Sequence, residues 1–130
     1  MGEAAEVVRR AFELLAADDL AGLDQVLDPS VKFQDPPEIP GSRLYEGPDG
    51  VRDWVQSIRE ASDDMSFRIV GIEERGNTAL VETAAEMHGR ASGAAVDWSF
   101  WTVWRVRDGL ITHQHGYARR EDAVADFESG

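Results

Sequence analysis

The chain has 130 residues, with 13 Lys or Arg, 25 Asp or Glu and no Cys. Its length fits a single domain, residues 1–130, and the net charge of −12 argues against nucleic acid as a partner because phosphate backbones would be repelled. The missing cysteines exclude disulfides and thiolate metal sites, and without an apolar run near ~20 residues we expect no membrane partner and a cytoplasmic location.

Two helices are predicted at the start of the chain. In residues 3–17 the apolar side chains recur at helical spacing, which predicts an amphipathic helix along Ala4, Val8, Ala11 and Leu15. Asp18 or Asp19 can then cap a second, short helix that stops before Pro29. Its apolar side would carry Leu20, Leu23 and Leu27.

A short strand, a loop and a third helix are predicted next. Val31, Phe33 and Asp35 alternate with polar residues, as in a strand. The segment 36–47 is rich in Pro and Gly, so we expect a loop that does not pair in a sheet. The third helix should run from about residue 47 to 63, because apolar residues return to helical spacing there.

Four strands and a last helix complete the predicted fold. Period-two patterns predict a hairpin from residues 65–74 and 78–89, then a turn at 90–94. The last two strands lie within residues 96–117, on either side of a tight turn at Asp108-Gly109, and a short helix is predicted at 119–128. This order predicts an α+β fold with a curved, largely antiparallel sheet whose helices gather on one face and enclose a cavity.

Four stretches of the chain resemble the nuclear transport factor 2-like superfamily. They are DDLAGLDQVLDPSVKFQDPPE, LYEGPDGVRDWV, VWRVRDGLI and YARREDAVADF. Within that superfamily the chain looks like the SnoaL-like family of small cone-shaped α+β proteins, which are relatives of ketosteroid isomerases and polyketide cyclases. Because the superfamily also includes epoxide hydrolases, dehydratases and non-catalytic association modules, the resemblance implies the fold but no single reaction.

The resemblance implies one catalytic residue, Asp35. In ketosteroid isomerases the general base is an Asp followed by Pro at the end of the first strand, and the stretch VKFQDP matches that step. The chemistry would be proton abstraction next to a carbonyl group. The alternative is that Asp35 is an ordinary Asp-Pro turn residue at the end of a strand.

The rest of the isomerase site does not carry over to this chain. The two positions that stabilise the enolate fall on Ala11 and Thr102, so ketosteroid isomerisation is disfavoured. The acid/base aspartate of SnoaL-type cyclases falls on Gln114, which can hydrogen-bond but cannot shuttle a proton. An epoxide hydrolase is disfavoured as well, because no arginine lies on the face expected to line the cavity.

The resemblance also fixes which strand faces should point inward. Tyr45 could donate a hydrogen bond to a substrate oxygen or serve as a hydrophobic plug. The full set expected to bind a hydrophobic small molecule is Tyr45, Trp54, Thr83, Ala85, Trp98, Phe100, Thr102, Trp104 and Gln114. The alternative is that the rings simply fill a solid core.

His113 and His115 fall on the outer face of the same sheet. Two imidazoles on one side of a strand can bind a metal ion, but a solvated or subunit-interface surface shared with Trp101 and Val103 is favoured. We therefore expect no metal. The resemblance implies a homodimer formed through the outer sheet face, because such dimers are common in that family. A bulge that reversed the register would instead bring the histidines into the cavity as acid/base candidates.

These observations lead to two hypotheses for function. The first is a SnoaL-like enzyme without a cofactor, in which Asp35 is the general base on a hydrophobic carbonyl substrate during isomerisation, cyclisation or dehydration. The second is a non-catalytic module of the same fold that binds a hydrophobic ligand or associates with a partner.

Overall fold

The structure is a computed structural model that describes residues 2–61, 64–88 and 95–129. Its helices are α1 (Glu3–Ala16), α2 (Leu20–Asp24), α3 (Gly47–Ala61) and α4 (Arg120–Ser129). Its strands are β1 (Leu27–Gln34), β2 (Leu44–Glu46), β3 (Ser66–Arg75), β4 (Thr78–His88), β5 (Ala95–Arg107) and β6 (Leu110–Tyr117). In the described part of the chain, no helix is long and apolar enough to cross a membrane.

The six strands form one mixed sheet in the order β2-β1-β6-β5-β4-β3. β1 and β6 run parallel, and every other neighbouring pair is antiparallel. Register shifts in the β1–β6, β3–β4 and β5–β6 pairs mark bulges, which bend the strands and curve the sheet. The α+β fold with a curved sheet is therefore confirmed.

The main core lies between the inner face of the sheet and helices α1, α2 and α3. Phe33 is at its centre, with its ring edge-on to Trp54 at 5.1 Å and to Trp104 at 5.6 Å between centroids. Val8 and Val51 bring α1 and α3 onto this cluster, and both are fully buried. Aromatic rings packed edge to face hold one another in fixed orientations.

Helix α4 packs on the opposite, outer face of the sheet. Its Ala123 and Phe127 are one helical turn apart and cover Leu80 and Val103, which form a second small core. The prediction that the helices gather on one face therefore holds for α1, α2 and α3 but not for α4. The outer face offers α4 an apolar patch because β4 and β5 carry buried residues on both sides.

Two local predictions are wrong. Leu27 was expected on the second helix, but α2 ends at Asp24 and Leu27 begins β1, which runs through Pro29 with irregular register. The segment 36–47 was expected not to pair, but Leu44–Glu46 forms β2 against β1. Between Gly41 and Gly47 the segment has no proline or glycine, so residues 42–46 are free to pair.

Other local predictions are confirmed. Asp19 caps α2, since its carboxylate accepts a hydrogen bond of 2.8 Å from the Gly22 N–H. The tight turn between β5 and β6 has positive φ at Asp108 and Gly109, as expected for an Asp-Gly hairpin. The predicted turn at residues 90–94 lies outside the described residues.

Candidate functional site

A cleft of about 610 Å³ lies between the inner face of the sheet, the loop after β1 and helix α3. Its apolar wall includes four aromatic residues, Trp54, Phe67, Trp98 and Phe100. Phe67 and Phe100 meet edge to face at 5.9 Å between ring centroids. A concave, mostly apolar surface of this size can bury most of a small organic molecule.

Asp35 directly follows β1 and lies half-buried in this cleft. Its backbone N–H donates to the Arg43 carbonyl at 3.1 Å, and the Arg43 N–H donates to Oδ2 of Asp35 at 3.3 Å. The Ser42 hydroxyl donates to the Asp35 carbonyl at 3.2 Å. These bonds close the loop from Pro36 to Ser42 and hold the carboxylate at the cleft. Among the described residues no partner is found for its Oδ1, which is free to accept a proton.

The Asp-Pro step lies directly against a glycine of β6. A Cβ on Gly116 would lie 2.8 Å from Cδ of Pro36 and 3.4 Å from the carbonyl oxygen of Gln34. Any larger residue at this position would push the proline ring away from the strand. Gly116 therefore sets the position of the chain on both sides of Asp35.

Tyr45 and Gln114 flank the start of this site on the two strands next to β1. Tyr45 of β2 and Gln114 of β6 are each paired with Phe33 of β1. Both line the cleft and are almost fully buried, with 4% and 6% of their surface exposed. Since Asp35 is two residues beyond Phe33, its side chain is on the same face as these two.

Residues 8–114 match the family model described as a SnoaL-like domain. This chain belongs to the SnoaL-like domain family. A comparison with the sequences of curated proteins finds no match.

Solved structures support the fold assignment of this SnoaL-like domain. An NTF2-like protein of unknown function from Burkholderia pseudomallei has a TM-score of 0.81 at 18% identity, with 98% of each chain covered. TerC, co-crystallised with polyporic acid, has a TM-score of 0.81 at 17% identity, over 99% of this chain and 100% of its own. A Mycobacterium tuberculosis protein in complex with estradiol-17β-hemisuccinate has a TM-score of 0.76 at 14% identity, over 93% of this chain and 97% of its own.

The SnoaL-like domain brings most of the predicted site residues to the cleft. Those that line it are Asp35, Tyr45, Trp54, Trp98, Phe100 and Gln114. The sequence did not single out Gln34, Pro36, Ile39, Phe67 or Ser99, which also line it. Ile39, an apolar residue in the predicted Pro- and Gly-rich loop, was the one signal that the sequence offered for these residues.

The remaining predicted site residues face the interior but do not line the cleft. Trp104 fills the core and donates a buried hydrogen bond of 2.7 Å from its Nε1 to the Thr102 hydroxyl. Thr83 is fully enclosed, and its hydroxyl has no partner among the described residues. Ala85 is buried opposite Trp98, and lines a separate surface depression. For these four positions the solid-core alternative fits the structure.

His113 and His115 lie on the outer face, so the bulge near the β5–β6 turn does not bring them into the cleft. The His115 ring stacks on Tyr117 at 4.4 Å, and its Nδ1 lies 4.0 Å from Asp126 on α4. Burial lowers the pKa of His115, while the Asp126 carboxylate partly opposes this. Across residues 2–61, 64–88 and 95–129 there is no cluster of three or more side chains that could hold a metal.

The outer-face residues next to these histidines are covered by α4 of the same chain. Val103 is fully buried, and Trp101 packs against the same small core. Arg105 donates to Asp126 Oδ1 at 2.9 Å, and the Tyr117 hydroxyl donates to Asp126 Oδ2 at 2.6 Å. The surface that was expected to be free for a second subunit is therefore partly occupied, and the homodimer stays a prediction.

Proposed function

We propose that this SnoaL-like domain binds an uncharged hydrophobic small molecule in the cleft, and that Asp35 removes a proton next to a carbonyl group of that molecule. The observation that carries the proposal is a carboxylate with one free oxygen in a cleft walled by aromatic rings. Asp35 is the one charged side chain among the described residues that line the cleft, so an anionic ligand would be repelled.

The chemistry follows from the surroundings of the carboxylate. Aromatic walls exclude water when a flat ligand fills the cleft, so the carboxylate meets the substrate with no water between them. The proton that Asp35 takes from one carbon can be returned to another, which isomerises the substrate. The same first step begins a cyclisation or a dehydration, and none of these reactions needs a cofactor.

A second candidate function is a binding module without catalysis. The observation that favours it is that neither position expected to stabilise an enolate can do so. Ala11 is buried in the core, and Thr102 is buried away from the cleft, where its hydroxyl oxygen accepts from Trp104. The ligands of TerC and of the Mycobacterium tuberculosis relative support small-molecule binding and are compatible with either function.

The test uses one probe for each part of the proposal. Nile red, a neutral hydrophobic dye, reports binding in the cleft by its fluorescence. 5-Nitrobenzisoxazole, an uncharged carbon acid that opens to a coloured phenolate when a base removes its proton, reports turnover. We expect Asp35→Asn to lower the turnover rate by about 100-fold or more while dye binding stays within about twofold. The control is Asp53→Asn on the exposed side of α3, which should change neither readout.

Turnover that survives in Asp35→Asn would rule out Asp35 as the base. Dye binding by the wild-type protein with turnover no faster than that of Asp35→Asn would favour the binding module. Absence of dye binding to the wild-type protein would contradict both candidates.

A further inference from the structure

We infer that Tyr45 and Gln114 form a donor pair that holds the carbonyl oxygen of the substrate, an assignment that rests on the proposed function. The Tyr45 hydroxyl and the Gln114 side-chain amide would both donate hydrogen bonds to that oxygen, beside the Asp35 carboxylate. The substrate would then be an uncharged, flat ketone or aldehyde with a proton on the carbon next to its carbonyl.

The first observation is that two largely buried side chains have polar ends without a hydrogen-bond partner in the protein. Neither end is among the described polar side-chain atoms that are shut off from solvent without a partner, so both are open to the cleft. Tyr45 and Gln114 are 4% and 6% exposed, yet within the described residues no partner is found for either side chain. Ser57 lines the same cleft and behaves differently, because its hydroxyl already donates to the Trp54 carbonyl at 2.7 Å. A ligand oxygen would supply the missing partner.

The second observation is the placement of the pair. Tyr45 and Gln114 are the neighbours of Phe33 on either side, so their Cα atoms are about two strand spacings, ~10 Å, apart. Two long side chains on one face can converge across that span on a point above Phe33. Asp35 lies diagonally across from Tyr45 and from Gln114, and diagonal residues on neighbouring strands are typically ~7–8 Å apart. One oxygen and the carbon beside it can therefore lie among all three groups.

The third observation is that rigid structure supports the pair. Phe33 is fixed between the rings of Trp54 and Trp104. Tyr45 has the Arg43 guanidinium 4.6 Å from its ring centre, and the first turn of α3 lies against its backbone at Gly50, where a Cβ would be 3.0 Å from the Tyr45 carbonyl carbon. Donors held in place before the substrate arrives lose little freedom when charge develops on the oxygen.

The proton-transfer step balances with these groups alone. The bond between hydrogen and the carbon next to the carbonyl breaks, and the proton moves to Oδ1 of Asp35. The electron pair of that bond forms a carbon–carbon double bond, and the carbonyl π pair moves onto the oxygen. Tyr45 and Gln114 donate hydrogen bonds to this oxygen and keep their own protons. These two donors would replace those missing at Ala11 and Thr102.

The experiment measures the infrared carbonyl band of 2-acetylnaphthalene, labelled with carbon-13 at the carbonyl, when it is bound to the protein. Hydrogen bonds lower this frequency, so the bound band should lie below the band in cyclohexane. Tyr45→Phe and Gln114→Met keep the shapes of the side chains, and each should raise the frequency and weaken binding about three- to tenfold. The double variant should approach the cyclohexane value. Gln56→Met, on the exposed side of α3 and outside the cleft, is the matched control and should change neither the band nor the affinity.

The outcomes separate this inference from the proposed function. A bound wild-type band at the cyclohexane frequency would overturn the donor pair even if a variant failed to fold. Bands in Tyr45→Phe and Gln114→Met that equal the wild-type band would overturn it as well. Neither result bears on the role of Asp35 as the base, which the turnover measurement tests separately. Failure of the wild-type protein to bind the ketone would overturn the proposed function and the donor pair together.

Discussion

A polar cluster on the outer face of the sheet contrasts with the polar side chains that line the cleft on the inner face. On the outer face, the Asp126 carboxylate accepts from both Arg105 and Tyr117 and lies beside His115. On the inner face, no partner is found among the described residues for the side chains of Tyr45 and Gln114. Both faces combine apolar packing with buried polar groups, but in this cluster on the outer face those groups are satisfied within the chain.

This difference separates a structural role from a binding role. A satisfied network such as that around Asp126 stabilises the docking of α4 and is costly to break. A polar group at a cleft that has no partner in the protein is open to solvent and is available to bond a ligand. His115 and Tyr117 attract attention in the sequence, but they belong to this satisfied cluster.

The largest effect is expected from breaking the outer network. Asp126→Ala leaves Arg105 and Tyr117 without their shared acceptor, and we expect it to lower the free energy of unfolding by about 2 to 3 kcal/mol. Urea denaturation measures the change. Glu128→Ala on the exposed side of the same helix is the control and should stay within about 0.5 kcal/mol. Equal, small effects of both substitutions would show that the network does not hold α4.

A pair of threonines on the inner face sharpens the comparison. Thr102→Val removes the acceptor of the buried Trp104 N–H, so the free energy of unfolding should fall by about 1 to 2 kcal/mol. Thr83→Val removes a hydroxyl that has no partner among the described residues, so stability should be unchanged or rise by up to ~1 kcal/mol. Thermal unfolding of the two variants side by side is the measurement. A loss of stability in Thr83→Val as large as in Thr102→Val would mean that the Thr83 hydroxyl is bonded, for instance to a buried water.

The smallest effect is a pH dependence of stability from the outer face. Burial lowers the pKa of His115 below the usual 6.5, so the folded state resists protonation more than the unfolded state does. Above pH 6.5 His115 is neutral in both states and does not reduce the free energy of unfolding. As the pH falls below 6.5, the free energy of unfolding should decrease progressively. Because the His115 side chain is 39% exposed, solvent screening should keep the loss below about 1 kcal/mol.

His115→Gln should flatten the pH dependence of the urea midpoint between about pH 7.5 and pH 5. The pKa of His113 is also lowered, by burial and by the charge of Arg105, so His113 should account for the pH dependence that remains in this variant. A second loss is expected in more acidic solution, where Asp126 becomes protonated. Burial alone would raise the pKa of Asp126, but the hydrogen bonds from Tyr117 and Arg105 outweigh it and lower the pKa. An unchanged profile in His115→Gln would contradict this account.

The fold was largely predictable because its elements are long and strongly periodic. The helical spacing in α1 and α3 and the period-two pattern of β4, β5 and β6 indicate both the type of element and its inward face. The three-residue strand β2 was not predictable, since a few residues between Pro and Gly carry no periodic signal. The position of α4 was hidden as well, because buried residues on both sides of β4 and β5 do not show which side a helix covers.

The site was predictable in part for a related reason. Strand parity shows that Thr83, Thr102 and Trp104 face inward together with Trp98 and Gln114, but parity cannot show where along a strand the helices stop covering it. The bond between Trp104 and Thr102, which places both in the core, depends on side-chain geometry. Which polar groups lack partners likewise becomes visible only once every neighbour is in place.

The parallel pairing of β1 with β6 has a consequence for how the protein folds. It joins strands from the two halves of the chain, so Asp35 and Gln114 become neighbours only when segments far apart in sequence meet. Closing so long a loop is costly in chain entropy, and contacts of this kind form slowly. During synthesis, the hairpin of β1 and β2 can form early, but the cleft cannot exist until β6 has left the ribosome. The cleft is thus among the last features of the molecule to form.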